Sequence, residues 1–298
     1  MSAVIETDAL TKLYRGGAGI RDLTLTVDRG EVFGFLGPNG AGKTTTIRTL
    51  LDLLHPTSGN ATIFGLDTRR CSREIRARVG NLPGDFAYED RLTGEQLLRL
   101  FARLRGTNDL TGARSLAERF KADLNRPLRQ LSRGNRQKIG IIQALFHNPE
   151  LLILDEPTTG LDPLMQEEFL QLIAERREQG TTVFLSSHDL PEVERACDRV
   201  GIIRAGRLAA IESVDEMRAR AYRKVTLKLR EPADPAEFAA IEGVDSLERD
   251  GDEITFRALG PLDEVIAAVA RHQVADLEIT KPSLEELFLL YYDGTAGP

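Results

Sequence analysis

The sequence predicts an α/β fold: a mainly parallel β-sheet, with an antiparallel β subdomain ahead of it, a helical insertion within it and a small α+β domain after it. Three observations carry this expectation. Residues 23–27, LTLTV, alternate apolar and polar, as a half-buried antiparallel strand does. From residue 31 onward, solid apolar runs such as EVFGFL (31–36) and LLIL (151–154) alternate with helical patterns, which reads as parallel strands buried on both faces. Past about residue 215 the character changes to short strands and helices in the rough order β-α-β-β-α-β.

Composition sets the outer limits. A chain of 298 residues, 41% hydrophobic and 29% charged, has enough material for one large domain or two smaller ones with a real core. Its net charge of −7, from 39 Lys and Arg against 46 Asp and Glu, argues against nucleic acid as a partner, which asks for a basic footprint. Two cysteines, Cys71 and Cys197, support neither a disulfide framework nor a cysteine-rich metal site, and suit a reducing cytoplasm. The N-terminal MSAVIETDAL places acids where a signal peptide needs an apolar core. Apolar runs as short as LLIL do not span a bilayer, which takes roughly 20 apolar residues. The expected location is therefore the cytoplasm, with docking on a membrane protein left open.

The first core strand, EVFGFL, leads into GPNGAGKT (37–44), and TTTIRTLLDLL (44–54) has helical apolar spacing. Strand, glycine loop and helix together make the phosphate-binding loop G-x-x-x-x-G-K-[ST], the mark of a P-loop NTPase. Gly37, Gly40 and Gly42 let successive backbone N–H groups curl around one phosphate, and the helix dipole adds to their field. Pro38, Asn39, Ala41 and Thr45 complete the expected nucleotide-binding set. Lys43 brings a mobile positive charge for the β- and γ-phosphates, and the Thr44 hydroxyl is a hard ligand for Mg²⁺. The competing reading is a chance glycine turn before a helix, which the flanking strand and helix make poor.

The next motif is LLILDE (151–156). Two carboxylates come after a buried strand at its carboxyl end, where α/β sheets bind ligands. Asp155 is the expected second Mg²⁺ ligand, direct or through water, and Glu156 the group that polarises the attacking water. Taken alone, the pair would equally be solvated acids at a strand end.

Further landmarks choose the class of nucleotide enzyme. LSRGNRQK (131–138) opens a helix before LLILDE, TTGLDP (158–163) comes directly after the acids, and VFLSSHDL (183–190) is another strand ending in His188. With these in order, the chain resembles an ABC-type ATPase over about residues 1–215. The resemblance implies that ATPase domains pair head to tail, as a homodimer or a pseudo-symmetric dimer. In such a dimer the signature of one domain, here Ser132, Gly134 and Asn135, closes on ATP held by the phosphate loop of the other. It implies that Tyr14 stacks on adenine, that His188 reads the γ-phosphate, and that Asp162 contacts the partner across the dimer. An N-cap is the plainer role for Ser132 or Asn135, a strand-end ring for Tyr14 and a structural imidazole for His188.

The chain departs from the family pattern in two places. Where the family's glutamine loop has Leu-Pro-Gln, VGNLPGDF (79–86) has Leu82-Pro83-Gly84, with Asp85 the nearest oxygen donor. In the signature, Arg133 replaces a Gly and Asn135 a Gln. Arg133 would point either at an anion across the dimer or into solvent.

The expected domains are 1–218 for ATP binding, with a helical insertion at about 86–148, and 219–298 for an accessory α+β domain. Thr93 and Gln96 would cap the insertion's first helix with a capping box. Strands are expected at 223–229, 252–258 and 274–280, and helices at 261–272 and 283–292. The ending PSLEELF (282–288) is similar to the close of accessory domains on ATPases of drug-resistance-type exporters. The sequence thus reads as an ATP-hydrolysing subunit, with ATP and Mg²⁺, that drives a separate transmembrane permease from the cytoplasmic face. The alternatives are a soluble ABC ATPase of translation or repair, or a regulatory module that binds ATP without turnover.

Overall fold

The computed structural model describes residues 3–84, 91–219, 223–231 and 233–280. The expected helix at 283–292, the PSLEELF ending and Asp85 lie outside the described residues. The chain parts into two compact units between Ser213 and Val214.

In the first unit, β1 (Ala3–Leu13) pairs antiparallel with β2 (Gly19–Asp28). Their alternating apolar side chains Ile5, Leu23, Leu25 and Val27 enter the core, while Glu6, Asp8, Thr24 and Thr26 face out. The central strand β3 (Val32–Leu36) is buried at all five positions, and its carboxyl end runs into the glycine loop. Helix α1 (Lys43–Leu50) comes next. It is shorter than the apolar pattern to residue 54 suggests. Asp52 turns into the left-handed region at φ 57°, and the Arg48 carbonyl accepts from the N–H groups of both Leu53 and Leu54, closing the helix end. The chain then adds β4 (Ser58–Ile63) and β5 (Leu66–Asp67) to give an antiparallel sheet ordered β2-β1-β4-β5.

After α2 (Ser72–Arg78), β6 (Val79–Leu82) returns to the main sheet. The helical region holds α3 (Gly94–Leu104), α4 (Thr111–Arg119) and α5 (Arg133–Leu145). Thr93 and Gln96 form the capping box on α3. Arg119 ties α4 to the helix after the next strand through Glu168 and through a two-pronged pair with Glu175 at 2.6 and 2.8 Å. Next come β7 (Leu151–Asp155), α6 (Pro163–Glu178), β8 (Thr182–Ser187), α7 (Leu190–Ala196), β9 (Arg199–Arg204) and β10 (Arg207–Ser213). The sheet order is β10-β9-β3-β8-β7-β6, with β10 antiparallel and the others parallel. Phe33 and Phe184 stack across neighbouring strands with centroids 5.8 Å apart. On β3, a Cβ at Gly34 would meet the Cys197 sulfur at 2.9 Å, so the missing side chain lets α7 lie close.

The second unit begins with α8 (Val214–Ala219), slightly before the boundary expected from sequence. It continues with β11 (Arg223–Leu229), α9 (Pro235–Ala239), β12 (Val244–Asp250), β13 (Glu253–Ala258), α10 (Asp263–Val269) and β14 (Val274–Thr280). All strand pairs are antiparallel, in the order β12-β13-β11-β14, which is the ferredoxin-like arrangement. Phe238 of α9 and Val265 and Val269 of α10 pack on Val225, Leu227 and Phe256, forming a core of its own.

Candidate active site

The carboxyl ends of the parallel strands converge beside the glycine loop. There a cleft of about 270 Å³ is lined by Tyr14 from the end of β1, by Pro38, Asn39, Gly40, Gly42, Lys43, Thr44 and Thr45, and by Glu156. Two glycines of the loop are required by its path. Gly42 has φ 115° and a Cβ there would fall 2.7 Å from Ile20 Cγ2; at Gly37 it would fall 2.4 Å from the Ile203 carbonyl oxygen. The loop thus packs its backbone directly on Ile20 and Ile203, with no room for side chains at Gly37 and Gly42, and it leads into the positive end of α1. Ala41 is buried behind it.

Lys43 is only 5% exposed, so its charge needs partners. Its ammonium donates to Gly37 O at 2.6 Å and lies 3.1 Å from Glu156 Oε1. The Thr44 hydroxyl donates to Asp155 Oδ2 at 2.7 Å, and the Ser186 hydroxyl donates to Oδ1 at 2.5 Å. Asp155 ends the buried strand β7, so both its oxygens are held by hydroxyls. Directly afterwards, Glu156 takes φ 52°, in the left-handed region that costs a non-glycine residue energy. Its N–H donates to Ser186 O at 3.1 Å, and the turn sends its side chain to Lys43 and to His188 Nδ1. The site therefore joins Lys43, Thr44, Asp155, Glu156 and His188 through hydrogen bonds, the Lys43–Glu156 ion pair and the bridging Ser186. Tyr14, 43% exposed, reaches Thr45 Oγ1 at 3.4 Å with its hydroxyl and presents its ring to the cleft mouth.

Ser132, Gly134, Asn135 and Asp162 do not line this cleft. Ser132 caps α5, its Oγ accepting from Asn135 N at 3.2 Å, and Asn135 Oδ1 accepts from Asp123 N at 3.2 Å. Asp162 caps α6 by accepting from Met165 N at 3.1 Å. Arg133 is exposed at its head, but its stem covers the turn after the acids: a Cβ on Gly160 would lie 3.3 Å from Arg133 Cγ. Gly84 stands directly at the acid, since a Cβ there would fall 3.0 Å from Asp155 Oδ2.

Three residues are not singled out by sequence reasoning. Ser186 orients Asp155. Gln137, 7% exposed, donates to Pro157 O at 2.8 Å and Glu156 O at 3.3 Å. Glu192, 6% exposed, lies under the His188 turn, where burial pushes its carboxyl up to about 7. A signal exists for two of them: Ser186 is a polar residue on an apolar strand end, and Gln137 shares a helix face with the buried Ile141, Ala144 and Leu145.

A glycine cradle with a buried lysine, a hydroxyl beside a carboxylate and a second acid against a histidine together define a nucleotide triphosphatase of the phosphate-loop class. Comparison with known proteins narrows the class. The ABC transporter family profile matches residues 20–159. The bacitracin transport ATP-binding protein of Bacillus licheniformis is 40% identical over 226 residues, 74% of this chain and 73% of that protein. The daunorubicin resistance ATP-binding protein of Streptomyces coeruleorubidus is 35% identical over 298 residues, 96% of this chain and 94% of that protein. The solved structure of an ATP-binding subunit of an ABC transporter superposes with a TM-score of 0.67 at 33% identity, covering 72% of this chain and 92% of that one. The chain belongs to the ABC transporter family and is an ATP-hydrolysing subunit of that kind.

Proposed function

We propose that the chain works as a head-to-tail dimer that powers export through a separate membrane-spanning permease, from the cytoplasmic face of the membrane. The observation that carries this is the division of the site. Lys43, Thr44 and Glu156 line one chain's own cleft, with Asp155 and His188 bonded to them, while Ser132 and Gly134 open α5 outside that group. A second copy supplies the missing helix N-terminus, whose N–H groups suit an anion. Among the described residues no helix is long and apolar enough to cross a membrane; in this reading the route for cargo belongs to the permease. The relatives named for bacitracin transport and daunorubicin resistance support export, as does the match to the latter along nearly the whole of both chains.

In this reading the loop N–H groups and Lys43 bind the phosphates, and Tyr14 covers the base. Thr44 and Asp155 fit Mg²⁺: they are hard oxygen donors 2.7 Å apart beside the phosphate cradle. When bound, Mg²⁺ neutralises charge on the phosphate oxygens. Glu156 orients the attacking water and takes its proton, and His188 holds Glu156 in place and meets the γ-phosphate. The second unit contributes no group to the chemistry and serves assembly or regulation.

Mixing two inactive variants tests the split site. Lys43→Ala spoils a cleft and Ser132→Arg spoils a signature, so each homodimer should be inert. In the mixed dimer one site has both good halves. An equimolar mixture, with half its dimers mixed and one site working in each, should recover about a quarter of wild-type Mg²⁺-dependent ATPase activity. No recovery from folded, exchanging chains would overturn the head-to-tail site, and a wild-type chain without ATPase activity would overturn the catalytic roles.

A further inference from the structure

We propose that Glu192 is a positioning residue for hydrolysis, a buried carboxyl that clamps the turn that carries His188. The proposal rests on the roles given above to Glu156 and His188. Two hydrogen bonds place the clamp. Ser187 Oγ donates to Glu192 Oε2 at 2.5 Å, and the same hydroxyl accepts from Asp189 N at 2.9 Å, so the residues flanking His188 are fixed to this carboxyl. From the other side the Thr158 hydroxyl favours the charged form of Glu192. Thr158 lies two positions after Glu156 and is itself buried. Oε1 of Glu192 is buried without a hydrogen-bond partner among the described residues. A buried carboxyl half-satisfied in this way costs stability, so its presence asks for a use.

The surroundings set when the clamp is tight. Burial, the largest influence, together with the like charges of Asp189 and Glu156 and against the pull of the Ser187 and Thr158 hydroxyls, leaves the Glu192 carboxyl raised to about 7. The other titratable group against it is the buried Cys197 thiol, itself pushed up by burial and by Glu192. The ionised carboxylate accepts from the Ser187 hydroxyl strongly, whereas the neutral acid is a weaker acceptor and turns one oxygen into a donor. The His188 turn is therefore held firmly above about pH 7 and loosely below it.

The test uses the full chain. In the wild type, kcat for ATP should rise roughly tenfold as pH passes upward through neutrality, the scale on which misplacing a reacting group is felt. Glu192→Gln, close in shape but unable to ionise, should erase that step and hold kcat at the low-pH level. KM for ATP should stay the same, because Glu192 does not line the cleft. Glu192→Asp, which keeps the charge, should restore part of the step. A second readout needs no catalysis. A carboxyl raised on folding has its stabilising share in full below its unfolded value, and loses it as pH rises through its folded value. Urea midpoints of the wild type should thus fall between about pH 4.5 and 7, and those of Glu192→Gln should lose that fall. If the stability step vanishes in Glu192→Gln but the kcat step remains, the carboxyl titrates without positioning anything and the proposal is overturned. If neither step changes, it is overturned as well. Absence of ATPase activity in the wild type would remove the parent roles and this clamp with them, while the stability arm would still show whether Glu192 titrates.

Discussion

Lys43 and Glu156 set up a competition that a single substitution exposes. The lysine ammonium sits 3.1 Å from Glu156 Oε1, and the two side chains are only 6% and 20% exposed. At an effective dielectric constant near 20, the Coulomb attraction at that distance is about 5 kcal/mol, most of it offset by desolvation of both groups. A phosphate entering the cradle must draw Lys43 off Glu156 or share it. Glu156→Gln keeps the shape, removes the charge and frees the lysine. If about 1.4 kcal/mol of the pair survives as net attraction, ATP and ADP should each bind the variant about tenfold more tightly. Turnover should fall at least a hundredfold, because the group that accepts the water's proton is gone. Equilibrium titration with a fluorescent nucleotide, at chain concentrations too low for dimers and with EDTA present, separates this local effect from closure of the dimer. Unchanged or weaker ADP affinity in Glu156→Gln, alongside lost turnover, would refute the competition and leave Glu156 a purely catalytic partner.

Two further substitutions probe the supports of the site. Gln137→Leu strips the donor from the Glu156 and Pro157 carbonyls in a buried place, which should cost about 1–3 kcal/mol in urea denaturation, and kcat should fall more than the apparent ATP affinity; a variant matching the wild type in both would show the contact to be idle. Gly84→Ala pushes a methyl to 3.0 Å from Asp155 Oδ2, and that carboxylate is pinned by Thr44 and Ser186 and does not yield cheaply. Half-maximal ATPase activity should then need several times more Mg²⁺, while nucleotide binding in EDTA stays as in the wild type; a superimposable Mg²⁺ titration would retire the idea.

Legibility in the sequence depends on how local each signal is. The phosphate loop is one continuous stretch whose strand, glycines and helix act on each other directly, so its residues can be read without tertiary contacts. The same holds for LLILDE, where four buried apolar residues and a carboxylate at the strand end make a local pattern. The second unit is legible for a similar reason: alternating VTLKL and ITFRA show one buried face, and the β-α-β-β-α-β order leaves few ways to close a sheet. Contacts between distant segments are not legible. Ser186 meets Asp155 only because β7 and β8 are neighbours in register. Glu192 reads as an ordinary exposed helical acid until α7 is laid against the turns at Thr158 and Ser187. The end of α1 is hidden because apolar Leu53 and Leu54 continue the pattern past Asp52, where backbone hydrogen bonds rather than hydrophobicity decide the stop.

The stretch LSRGNRQK shows why a cap and an anion site need not be rival readings. Ser132 Oγ uses a lone pair to accept from Asn135 N, which leaves its proton available to donate. What distinguishes this helix start is how it is fastened. Gly134 lets the Gly160 carbonyl oxygen approach to within 2.5 Å of where a Cβ would stand, and the Arg133 stem covers Gly160 from above. One turn further on, Gln137 grips the carbonyls of Glu156 and Pro157. The segment from Glu156 to Gly160 is therefore held by α5. A bulky change at Gly134 would act on the chain's own acid even though the residue lies outside its cleft. In a head-to-tail dimer the helix that closes on the partner's ATP is thus keyed to the chain's own segment from Glu156 to Gly160, through Gly134 against Gly160 and through Gln137 on the Glu156 and Pro157 carbonyls. That packed segment is where a movement of α5 would meet the chain's own acid.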